Sequence, residues 1–188
     1  LPVDTRPLAA RIKPDEIPNP TRGVTSIQYS AGTGGILEGS APHLASTSFN
    51  LTADLEIPQS GAEGMLFTIG GYTAGFGCYI QNNKLVFSYN NFTERTKITS
   101  AQDLSKGKQK LKVEFIYDGG GLGKGATVKL YADNKEIGNG RLEKTVPVAF
   151  SSFDGIDVGI DRGAPVDFTY KMPFKFTGKL DKVILDLK

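Results

Sequence analysis

Four aspartates, Asp154, Asp157, Asp161 and Asp167, fall within the glycine-rich stretch Phe153–Phe168. Clustered carboxylate oxygens suit a hard cation, and with no sulfur or imidazole nearby in sequence that cation is Ca2+ rather than Zn2+. Asp157 and Asp161 are the candidate ligands. Residues four apart in a strand point to one side, and Gly159 and Gly163 let the backbone bend enough to add a carbonyl oxygen. The spacing is not that of an EF-hand loop. The competing reading is that these carboxylates cap turns by accepting backbone N–H groups. No cofactor is required by anything else in the chain.

Nucleophilic chemistry finds little support. The single cysteine, Cys78, lies in Phe76-Gly77-Cys78-Tyr79-Ile80, inside a predicted strand, where a thiol behaves as a small hydrophobe. The single histidine, His43, sits between Pro42 and Leu44 with no partner nearby in sequence and reads as a surface-loop residue. There is no G-x-S-x-G elbow. Asp118–Gly125 is glycine-rich with Lys124 near its end, but Gly125 replaces the hydroxyl residue of a phosphate-binding loop. A strand follows it rather than a helix, so it is a connecting loop.

A sugar-binding face would show as exposed aromatic rings, which pack on the apolar faces of pyranoses. The chain has no Trp, 7 Tyr and 11 Phe, and most of these fall at inward strand positions. Tyr72, Tyr89, Phe92 and Tyr170, at loops or strand ends, are the exceptions and the candidate ligand-binding residues.

The elements that must position these groups are strands. In Ser48–Ile57, Phe49, Leu51, Ala53, Leu55 and Ile57 alternate with polar residues, which predicts a strand with one buried face. Leu111, Val113, Phe115 and Tyr117 form a second such strand, its other face carrying Lys110 and Lys112. Shorter candidates are Val24–Tyr29, Met65–Ile69, Phe76–Ile80, Leu85–Tyr89 and the segment around Val128 and Leu130. Gln81-Asn82-Asn83-Lys84 and Ala132-Asp133-Asn134-Lys135 read as hairpin turns. Phe174–Leu187 shifts parity midway, which predicts a bulge or a strand buried on both faces. No window has a helical period. The fold expected is all-β: a two-sheet antiparallel β-sandwich over residues 24–188, with core residues Phe49, Leu51, Leu55, Leu111, Val113, Phe115, Leu130 and Leu180. Residues 1–23, with five prolines, read as an extended arm or linker, and a start at Leu1 suggests a piece of something larger.

The 22 basic residues are nearly balanced by 20 acidic ones, which removes the electrostatic case for nucleic acid or an anionic membrane. Lys106, Lys108, Lys110 and Lys112 read as a solvated strand face. No apolar run is long enough for a membrane-spanning helix.

Several motifs together resemble the carboxyl-terminal region of large bacterial arylsulfatases. They are Tyr117–Gly125, Val128–Tyr131, Gly138–Pro147, Asp157–Val166, Phe174–Leu180 and the opening Leu1–Arg6. The resemblance implies a jelly-roll, concanavalin A- or laminin-G-like accessory domain, packed against a sulfatase catalytic domain in a periplasmic or secreted protein. It implies no active site here. Cys78 is followed by Tyr79-Ile80-Gln81, not by the Pro and Arg of the sulfatase formylglycine motif. The expected function is therefore that of a non-catalytic accessory domain. The alternative is a carbohydrate-binding, lectin-like module that targets a parent enzyme to a sulfated glycan.

Overall fold

A computed structural model describes residues 5–7, 20–151 and 153–188. The proline-rich arm expected over residues 1–23 falls largely outside them. The strands are β1 (Ser26–Ser30), β2 (Phe49–Ile57), β3 (Gly64–Gly70), β4 (Ala74–Gln81), β5 (Lys84–Asn91), β6 (Arg95–Thr99), β7 (Gly107–Tyr117), β8 (Ala126–Ala132), β9 (Lys135–Leu142), β10 (Ile156–Val158), β11 (Ile160–Asp161), β12 (Phe174–Lys175) and β13 (Lys179–Leu187). Glu38–Ser40 forms one 3-10 turn.

The first sheet has the order β1-β13-β2-β7-β8-β9 and the second β11-β12-β3-β4-β5-β6, with β10 also paired to β3. All neighbours are antiparallel except β12 and β3, which meet in parallel at Lys175 and Met65. The protein is thus the all-β, two-sheet sandwich that the alternation predicts.

Alternation works in the first sheet because only one of its faces is covered. Along β2 every second residue from Phe49 to Ile57 is buried, and β7 contributes Leu111, Val113 and Phe115. The opposite face is charged and solvated: Lys110 and Lys182 each lie 3.7 Å from Asp54. Between the sheets the core is aromatic. Phe49 stacks on Phe115 at 4.8 Å between ring centres and on Phe76 at 5.2 Å, and Phe76 meets Phe87 and Phe150. Offset and edge-on ring pairs add stabilisation beyond the area they bury. All eight core residues expected from the sequence are buried, and so is Cys78.

The second sheet differs. Residues 159–175 fold back across its outer face, where Met65, Tyr79, Val86 and Tyr170 form a separate apolar cluster edged by Met172 and Phe174. Both faces of β3 are covered, so all seven of its residues are buried.

The two predicted hairpin turns are present. Asn82 and Asn83 have φ of 51° and 61°, and Asp133 and Asn134 have φ of 46° and 68°, the paired left-handed geometry favoured in two-residue hairpins. The expected single strand Phe174–Leu187 is two strands: β12 belongs to the second sheet and β13 to the first, and the chain crosses between them at 176–178. The parity shift has that crossing as one cause and a register shift between Leu180 and Lys182 as the other. At the crossing, a side chain on Gly64 (φ +125°) would collide with the backbone of Lys175 and Phe176. His43 is half-buried rather than a surface residue, and burial lowers its pKa and favours the neutral ring.

Candidate functional site

The aspartate stretch and the aromatic candidates meet the second sheet on one side. In β10, Ile156 and Val158 are buried in the core, so Asp157 between them points to the outer face, opposite Thr68 of β3. The chain turns at Gly159 (φ +77°), and β11 brings Asp161 to the same place. Asp154, Asp157, Asp161, Arg162 and Phe153 line a cleft of about 200 Å3 with Thr68 on its floor.

The carboxylates in this cleft are engaged by protein donors. Asp157 accepts from the backbone N–H of Gly35 at 3.1 Å and of Arg162 at 3.0 Å, and pairs with Arg162 Nη1 at 3.1 Å. A side chain at Gly34 would strike this ion pair. Asp161 is buried and accepts the Tyr170 hydroxyl at 2.7 Å. Burial pushes its carboxyl up to about 6; the Tyr170 hydrogen bond opposes the rise and the charges on Asp157 and Asp154 add to it. Asp167 is held the other way. Burial alone would raise it, but hydrogen bonds from Lys97 (2.8 Å), the Tyr79 hydroxyl (2.8 Å) and the Thr169 N–H (3.0 Å) keep it below the usual carboxylate range. Of the two Tyr–Asp pairs, Tyr79–Asp167 fastens the segment 159–175 to β4 and Tyr170–Asp161 closes that segment on itself. Among the described residues no group of three or more His, Cys, Asp and Glu side chains is arranged to hold a metal ion. Asp157 and Asp167 accept N–H groups as turn-capping carboxylates do, and Asp157 and Asp161 share one cleft.

The four aromatic candidates divide evenly. Tyr89 and Tyr170 are 2% and 6% exposed and present no ring to solvent. Tyr89 lies in the inter-sheet core with its hydroxyl accepting from Val146 N–H, and Tyr170 is buried because the crossing segment covers the outer face. Tyr72 and Phe92 are 56% and 57% exposed, and two aromatics that alternation does not single out are more so: Phe168 at 65% and Phe153 at 89%.

These four rings gather at one end of the second sheet. Tyr72 is in the β3–β4 turn and Phe92 in the β5–β6 turn; Ala74 pairs with Asn91, so both turns lie at the same end, about 10 Å apart at two strand spacings. Arg95, the first residue of β6, joins them to Phe168. Its guanidinium lies 4.3 Å from the Phe168 ring centre, donates from Nη2 to the Tyr72 carbonyl at 2.7 Å and from Nε to the Val166 carbonyl at 3.3 Å. On the other side of Tyr72, Gly71 and Gly163 leave room for the Asp154 carboxylate, which leads to the cleft and Phe153. The surface runs from Phe153 and the carboxylates to Tyr72, Arg95 and Phe168. Phe153 and Phe168 bound the Asp-rich stretch outside any alternating run, and that position was the available sequence signal for them.

No family model matches the sequence, and no curated protein does. Solved structures share the fold. The CBM40 module of Ruminococcus gnavus IT-sialidase, solved with α2,3-sialyllactose bound, is 16% identical, with 86% of this chain and 88% of that chain covered and a TM-score of 0.54. The NanB sialidase of Streptococcus pneumoniae is 10% identical over 85% of this chain and 26% of its own, with a TM-score of 0.59. Mouse laminin α1 domains LG4-5 are 14% identical over 87% of this chain and 39% of theirs, with a TM-score of 0.51. At these identities the likeness is one of fold: a lectin-like, laminin-G-like jelly-roll sandwich.

Proposed function

We propose that this chain is a non-catalytic glycan-binding module, and that it binds at the end of the second sheet marked by Tyr72, Phe92, Phe153 and Phe168. The observation that carries the reading is the gathering of four exposed aromatic rings beside a cleft lined by carboxylates. A folded domain has no internal reason to present four rings to water at one place; such patches mark binding surfaces. Ring faces take the apolar faces of sugars, while carboxylate oxygens and the Arg162 N–H groups suit sugar hydroxyls. The same fold serves a sialidase as a carbohydrate-binding module. The test is an array of neutral and charged oligosaccharides probed with the chain and with Tyr72→Ala and Phe168→Ala. Selective binding lost in both variants supports the proposal. Binding that survives both, or none to any glycan, refutes it.

A second reading rests on the arylsulfatase-like motifs: a non-catalytic accessory domain that packs this surface, or its charged first sheet, against a sulfatase catalytic domain. A sulfatase motif encoded in the same reading frame as these residues supports that parentage, and an unrelated neighbour sequence removes it.

A further inference from the structure

We infer that Arg95 reads an anionic substituent, a carboxylate or a sulfate ester, on the ligand bound at this surface; the inference rests on the glycan-binding reading. A guanidinium has five N–H donors in a planar fork that matches an oxyanion with two parallel hydrogen bonds. In Arg95, Nε and Nη2 are committed to the carbonyls of Val166 and Tyr72, and the plane rests on the Phe168 ring. Its Nη1 makes no hydrogen bond among the described residues, and no carboxylate lies within ion-pair distance of it among them. The arginine of the neighbouring cleft is the contrast: Arg162 is paired with Asp157. Lys97, two residues along β6 on the same face, is likewise neutralised by Asp167. Arg95 is therefore a cation braced on three sides, with an open edge amid exposed rings. Bracing removes much of the side-chain entropy that binding an anion would otherwise cost. The cleft beside it carries three aspartates, so the surface is cationic at the Arg95 end and anionic at the Phe153 end, which orients a charged oligosaccharide along it.

The experiment measures affinity of the full chain for three versions of one oligosaccharide, neutral, carboxylated and sulfated, in low and high salt, and repeats it with Arg95→Gln and Arg95→Lys. The expected result is at least tenfold tighter binding of one anionic version than of the neutral one. That ratio should shrink in high salt, as a charge contact does, and fall to about one in Arg95→Gln, whatever the affinity of that variant for the neutral version. Arg95→Lys keeps the charge without the planar fork and should retain part of the ratio. The carboxylated and sulfated arms tell the two oxyanions apart. Equal affinity for all three, or a ratio unchanged in Arg95→Gln, overturns the inference and leaves glycan binding standing. A lowered melting temperature with an unchanged ratio shows Arg95 to be only a brace and also overturns it. Absence of binding to every version overturns both. If Arg95→Gln fails to fold, the salt dependence of the unaltered chain's ratio decides.

Discussion

The Tyr170 hydroxyl donates to Asp161 Oδ2 at 2.7 Å, with both residues buried within the segment that folds across the outer face of the second sheet. Burial opposes ionisation of Asp161 and outweighs the hydrogen bond, which favours it. Its folded pKa, about 6, lies above its unfolded value near 3.8. Between these values the folded state holds a proton that the unfolded state has released, so stability falls as pH rises from about 4 to about 6, by about 3 kcal/mol in all. Glu38, raised by burial, acts with the same sign; half-buried His43, lowered by burial, acts against it below pH 6.5. The difference between the unaltered chain and Asp161→Asn isolates the one carboxyl. We expect a melting-temperature advantage for Asp161→Asn at pH 7 that disappears by pH 4. A constant difference across that range would contradict the assignment.

Tyr170→Phe tests the same joint from the donor side. It leaves Asp161 Oδ2 buried without the hydroxyl, which should cost about 1–3 kcal/mol in denaturant unfolding. It also removes the contact that lowers the Asp161 pKa, so the destabilising window should extend to higher pH. No loss of stability would show that Asp161 Oδ2 is satisfied without the hydroxyl.

Much of this fold was legible because an open sheet face leaves a period of two. Strands β2 and β7 follow their alternation residue by residue, and Asn82-Asn83 and Asp133-Asn134 form the turns their composition predicts. The second sheet was less legible because it is covered on both sides. In β3 every residue is buried, so parity carries no information about which way a side chain points. Alternation leaves Tyr170 and Tyr89 as candidates for exposure, but the loop position and the strand end are each buried by segments distant in sequence. Phe153 and Phe168 were hidden conversely, since an aromatic in an irregular stretch has no period to mark it as exposed. Arg95 was invisible as a site residue until β6 placed it against Phe168 and Tyr72.

Phe115 tests the core. It is buried and stacks on both Phe49 and Tyr89 across the two sheets. Truncation to Ala should cost about 3–5 kcal/mol, measured by urea unfolding. A cost below 1 kcal/mol would contradict the packing.

Calcium tests the aspartate cluster. Asp157 has both oxygens committed to Gly35, Arg162 N–H and the Arg162 guanidinium, and Asp161 carries a raised pKa. Millimolar Ca2+ added to chelator-treated protein should leave the melting temperature unmoved. A site in the folded state alone, at a hundredfold excess over Kd, would add about 2.7 kcal/mol, and a rise of that order would show the ion displacing Arg162.

Glycan binding where the four rings are exposed can be mapped residue by residue. The measurement is an NMR titration of the isotopically labelled chain with a glycan selected from the array. We expect saturable amide shifts concentrated at 71–73, 92–95, 153–154 and 167–169, with the outer face of the first sheet, at Lys108, Lys110 and Lys112, unmoved. Shifts centred on those lysines, or no saturable shift with any glycan, would contradict it.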